Sequence, residues 1–181
     1  MKKSLLPLFL AACFLFAPIF SIAEYDQYTD HLPLYHELIG MIRAARIIVE
    51  KDFAKPVYEE DWGGLIGVAY FPVHGMEFRA FYDEDVIYEY KVDIMCDTYA
   101  HKRMDDLLSA FIFLVDDESE TVEDASAVLE YLLSTQEGED YTSYVLRQSE
   151  IERAHVRITA QSFSSSTSRV LSVYADFIDG Q

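Results

Sequence analysis

A chain of 181 residues, 51% hydrophobic and 25% charged, is long and apolar enough to bury a core. Its 14 Lys and Arg stand against 32 Asp and Glu, a formal net charge of -18, which argues against phosphate backbones and anionic lipid as partners because both need clustered cations. The same charge suits a basic protein partner through steering and complementarity, although acidity also serves solubility alone. Thirteen Tyr and twelve Phe argue against disorder, and the absence of Asn leaves no N-glycosylation sequon.

The first residues read as an export signal. Lys2 and Lys3 form a basic start, residues 5–22 an apolar run broken by Pro7 and Pro18, and Ser21 and Ala23 supply the small residues of a cleavage site. Cleavage after Ala23 makes residues 1–23 a secretory signal peptide of bacterial style and residues 24–181 a single domain, periplasmic or extracellular. Two rivals share that placement. Leu10-Ala11-Ala12-Cys13 has the letters of a lipobox, but the apolar run continues through Phe14 to Phe16, where a lipoprotein turns polar. An uncleaved anchor is the other, since the run is barely long enough to span a bilayer.

Residues 26–53 are expected to hold a helix, with Leu34, Leu38, Met41, Ile42, Ala45, Ile48 and Val49 at helical spacing. Residues 54–64 read as a connecting loop carrying the single tryptophan, Trp62, ahead of Gly63-Gly64. Residues 65–95 are the organising stretch: three antiparallel strands joined by turns at 72–75 and 83–85. Met76, Phe78, Ala80 and Tyr82 alternate with Glu77 and Arg79. Val86, Tyr88, Tyr90, Val92 and Ile94 alternate with Glu89, Lys91 and Asp93.

A second helix is expected over 99–115, capped by Asp97 or Thr98. A third opens at Thr121-Val122-Glu123-Asp124, which has capping-box spacing, and ends near 136–138. Strands return at 144–149, at 154–160 and at 170–178, with a serine-rich turn over 162–168. The fold class is therefore α+β: an antiparallel sheet of about six strands, a three-strand meander then three more, with helices packed on one face. The order also permits two pseudo-duplicated α-β-β-β units.

No constellation points to catalysis. With Cys13 removed, Cys96 is the sole thiol, and the Asp97 carboxylate beside it has the wrong sign for a nucleophile, which needs an electropositive site; a dyad with His101 or His155 is the sharp alternative to a buried small hydrophobe. His31 and His36 are five apart rather than the i, i+4 of a helical zinc pair. No phosphate loop, nucleophile elbow, C-x-x-C or H-E-x-x-H occurs, the acidic runs lack EF-hand spacing, and no cofactor or metal is implied.

The repeated polar feature is acidity in predicted connections: Glu59 to Asp61, Asp83-Glu84-Asp85, Asp116-Asp117-Glu118-Ser119-Glu120, and Glu137 to Asp140. Asp83, Glu84, Asp85, Asp116, Asp117, Glu118 and Glu120, with Trp62 as an aromatic anchor, are the candidate partner-binding residues. These features favour an exported, acidic, non-enzymatic binding protein, of inhibitor or immunity-like kind, facing a basic protein. One alternative is a small enzyme or ligand-binding domain whose pocket between sheet and helices is lined by Tyr70, Tyr82, Tyr88 and Tyr90. Another is a structural subunit of an envelope assembly, using residues 170–178 as an exposed edge strand.

Overall fold

The structure, a computed structural model, describes residues 32–62, 65–83 and 86–178, with the backbone alone for 58–62 and 65. The signal sequence, Cys13, His31, Glu84, Asp85 and the Trp62 side chain lie outside the described residues. Three α-helices, α1 (Leu32–Ala44), α2 (Met104–Val115) and α3 (Val122–Ser134), accompany eight strands among them. The strands are β1 (Tyr58–Trp62), β2 (Leu65–Val73), β3 (Met76–Asp83), β4 (Val86–Met95), β5 (Glu137–Asp140), β6 (Tyr144–Glu152), β7 (Val156–Ser165) and β8 (Arg169–Phe177).

All eight form one antiparallel sheet in the order β1-β2-β3-β4-β8-β7-β6-β5. The α+β architecture is thus as the alternation implied, with eight strands rather than six. β1 and β5 are the two missed, and both are edges. An edge strand is held by main-chain pairing to one neighbour and needs no apolar alternation, so the segments YEEDW and EGED carry no strand signal of their own. One helix precedes the first four-strand meander and two precede the second, and the halves meet where β4 pairs β8.

The helices cover one face. Tyr35 of α1 stacks on Tyr70 at 4.4 Å and meets Phe78 at 5.1 Å. Phe111 of α2 meets Phe78 edge-on at 6.4 Å, and Tyr90 meets Phe177 at 5.6 Å. Such ring pairs contribute about 0.5–1.5 kcal/mol each beyond their burial. From the other half, Val156, Ile158 and Ala160 of β7 and Leu171, Val173 and Ala175 of β8 complete the core, as their alternation required. Ser149 donates to the Leu132 carbonyl, fastening α3 to β6.

Three local details depart from the sequence reading. α1 stops at Ala44, because Arg46 takes a left-handed φ of 59° and Ile47 N–H bonds back to the Ile42 carbonyl at 3.1 Å. This is a Schellman ending without glycine. It turns Ile47 into the core and leaves Ile48 70% exposed, off the stripe assigned to it.

In β4 the ladder slips: Phe81 faces Glu89 while Tyr82 faces Ile87, so Tyr88 is an extra, bulged residue. Ile87 is therefore buried, and Val86 and Tyr88 are turned outward, Tyr88 to 42% exposure. A period-two pattern cannot announce the residue at which it changes phase. The third departure is at the start of the second helix, which begins as a single 3-10 turn (His101–Arg103) before α2. Its N-cap is Ala100, without a side-chain cap, rather than Asp97 or Thr98; the Thr98 hydroxyl accepts from His101 N–H at 3.3 Å. The Thr121 capping box forms as its spacing implied, with Asp124 N–H donating to the Thr121 hydroxyl at 3.1 Å.

Candidate functional site

Strand direction gathers several turns, that of Asp83 among them, at one end of the sheet; the acidic run Glu137 to Asp140 instead forms edge strand β5 and runs toward the opposite end, where Asp140 pairs Val145. β2 starts beside the end of β3, so the last residue of β1, Trp62, and the last of β3, Asp83, share that end. β8 finishes beside the start of β4, and Val156 pairs Phe177, so the β6–β7 turn over residues 153–155 lies there too. At about 4.8 Å per strand these turns span roughly 25 Å.

The loop between α2 and α3 is tied to the same end by Arg153. Its guanidinium donates to Asp116 Oδ2 at 3.3 Å and to Glu118 Oε2 at 3.0 Å. Asp116 is 2% exposed and also accepts from the Ser119 hydroxyl at 2.7 Å and the Glu118 N–H at 3.2 Å. Its carboxylate is spent inside the protein. Expected on the docking surface, Asp116 is instead the post on which the loop is folded, because an aspartate just past a helix can turn back onto the next amides. Asp83, Asp117, Glu118 and Glu120 are exposed.

The sheet face away from the helices adds to this end. Reading across the strands at one level, Phe81, Glu89, Asp176, Arg157 and Glu152 are successive register partners. The Glu89 carboxyl is pushed up to about 8, chiefly by burial, then by its hydrogen bond to Asp176 and repulsion from it; Lys91 and Arg79 pull it back. At neutral pH Glu89 therefore keeps its proton beside Asp176 across the β4–β8 seam. Arg157 meets Glu152 at 3.6 Å.

Deeper along the same face runs a half-buried polar belt. Arg79 pairs with Glu77, Lys91 with Asp93 at 2.9 Å, and the Ser172 hydroxyl donates to Asp93. The Lys91 ammonium sits 5.0 Å from the Tyr174 ring centroid, and the Tyr174 hydroxyl donates to Gln161 at 3.0 Å. Burial works to lower the Lys91 pKa, but Asp93 outweighs it and the net shift is upward. Lys91 stays charged. The belt therefore joins β4, β8 and β7 by polar contacts on the face opposite the core, with the Arg79–Glu77 pair beside them on β3.

Other sequence candidates disperse. Cys96 leaves the far end of β4, where its N–H bonds the Arg169 carbonyl, whereas the His155 carbonyl accepts from Ile178 N–H at the acidic end. A Cys96–His155 dyad is not assembled. Tyr70, Tyr82 and Tyr90 are packed into the core and Tyr88 points out, so these four do not line a common pocket. Residues 170–178 supply central β8 rather than an exposed edge. Among the described residues no cluster of three metal-ligating side chains occurs, and no helix is long and apolar enough to cross a membrane.

The polar belt and the Glu89–Asp176 pair escaped sequence reading. The alternation placed Glu89, Lys91 and Asp93 on one face, but their partners on β8 are some 80 residues away. No family model, curated protein or solved structure matches this chain.

Proposed function

We propose that this chain is an exported acidic protein that acts by binding a basic protein, with the acidic turn end of the sheet as its docking surface. The observation that carries the reading is convergence: Asp83, Asp117, Glu118, Glu120, Glu152 and the Glu89–Asp176 pair, scattered through the sequence, come to one end of the fold. The cations identified there, Arg153 and Arg157, are engaged by Asp116, Glu118 and Glu152. An exposed rim of one sign raises association rate and selects partners of the other. That surface together with the signal-like start, Lys2 to Ala23, supports an inhibitor or immunity-like role outside the cytoplasm.

The test is capture from periplasmic and extracellular extract, at low and at moderate salt. One stoichiometric basic protein, bound more weakly as salt rises, supports the reading. Joint reversal of Asp83→Lys, Asp117→Lys and Glu118→Lys should then slow association about tenfold and flatten its salt dependence. Kinetics identical to the parent chain would remove the electrostatic reading.

A further inference from the structure

The outer surface of the helical layer carries a groove that the turn-end reading does not use. Where α1, α2 and α3 meet lies a cleft of about 400 Å3, floored by Met41, Ala44, Ala45, Ala110 and Val122. A second hollow of about 460 Å3 shares Asp105 and Ser126 with it and continues over Leu129 and Leu133 to Ser134. From Val122 to Ser134 the groove follows the whole of α3, which at 1.5 Å per residue is about 18 Å, or three helical turns. Val122, Ser126, Leu129 and Leu133 stand at i, i+4, i+7 and i+11; of these Leu129 also belongs to the buried core with Ala125, Val128 and Leu132, while Val122 and Ser126 are exposed.

Two further observations say what the groove takes. Ser109, 2% exposed, lines the first cleft, and its hydroxyl has no hydrogen-bond partner among the described residues. A buried hydroxyl left unpaired costs about 1–3 kcal/mol and is satisfied by an incoming polar group. The lining charges are all negative: Asp105, Asp106, Glu123 and Glu130, with no Lys or Arg among the residues lining either hollow. Arg103 neutralises Asp106 at 2.8 Å, while Asp105, Glu123 and Glu130 form no ion pair among the described residues.

We propose that this groove docks a basic amphipathic helical segment of a protein partner. Apolar side chains at i, i+3, i+4 and i+7 enter along the floor, and Lys or Arg on the flanks meet Asp105, Glu123 and Glu130. The proposal rests on the reading that the partner is basic, and adds a second contact on a different face of the molecule.

The probe is a fluorescein-labelled Leu/Lys peptide of about 18 residues with its leucines on one helical face, titrated against the chain by anisotropy. Its control has the same composition scrambled so that no apolar face forms. The patterned peptide should bind at least about tenfold tighter than the scramble. Ser126→Trp, which fills the groove from an exposed position, and Glu123→Lys with Glu130→Lys should each weaken binding about tenfold. Asp117→Lys with Glu118→Lys should leave it within about twofold, because those residues lie outside the groove. Equal binding of the scramble, or indifference to Ser126→Trp, overturns the groove. So does a dimer in sedimentation that Ser126→Trp dissociates, which would assign the groove to a second copy. If the groove fails while a captured basic protein still responds to the Asp117 and Glu118 reversals, the turn-end reading stands alone.

Discussion

Arg153, in the β6–β7 turn, reaches across the end of the sheet to the buried carboxylate of Asp116 at the end of α2, with 3.2 Å between Nε and Oδ1. A hairpin of the second meander and a helix of the cover layer are thereby locked together, and the loop that carries Asp117, Glu118 and Glu120 is held between them. The anion is fully buried and its cation is 19% exposed.

Removing Arg153 would strand that anion. Arg153→Met should destabilise the chain by about 3 kcal/mol, since breaking a buried pair from one side leaves an uncompensated charge. Asp116→Asn in the same chain should recover part of the loss. Urea unfolding of the two single variants and the double variant checks this; additive losses would mean the pair is not coupled.

Glu89 makes stability depend on pH in the less common direction for a carboxylate. Its folded pKa of about 8 lies above the ordinary 4.5, so the folded chain keeps a proton that the unfolded chain has released. The stabilisation is complete below about 4.5 and is lost as pH rises through about 8. Glu89→Gln keeps a donor for Asp176 and removes the titration. Its midpoint for urea unfolding should exceed that of the parent at pH 9 and match it near pH 5, by about 1 kcal/mol after allowance for solvent screening. Parallel pH profiles for the two chains would contradict the raised Glu89 pKa.

Gly75 closes the β2–β3 turn with φ at +86°, and a Cβ there would lie 2.1 Å from the Thr98 hydroxyl oxygen. Gly75→Ala should cost about 2 kcal/mol, combining left-handed strain with the collision. Thr98→Gly in the same chain should return only the part due to collision. Thermal unfolding separates the two contributions, and no change in Gly75→Ala would mean that the turn re-forms elsewhere.

The order of elements, the core faces of β3, β7 and β8, and the Thr121 capping box were legible in the chain itself. Apolar period and cap chemistry are local properties, repeated often enough to stand out over a few residues. Edge strands β1 and β5, the bulge at Tyr88 and the left-handed ending at Arg46 were not, because main-chain pairing and a single residue's φ leave no mark on hydrophobic pattern.

The candidate site divides the same way. Acidity in the turns at Asp83 and at Asp117 to Glu120 was visible as composition, which needs no partner to be read. That these turns share one end, that Asp116 is withdrawn into the fold, and that Glu89 meets Asp176 depended on strand order and register. Those are set by packing between residues far apart in the chain, and only the tertiary structure could decide them.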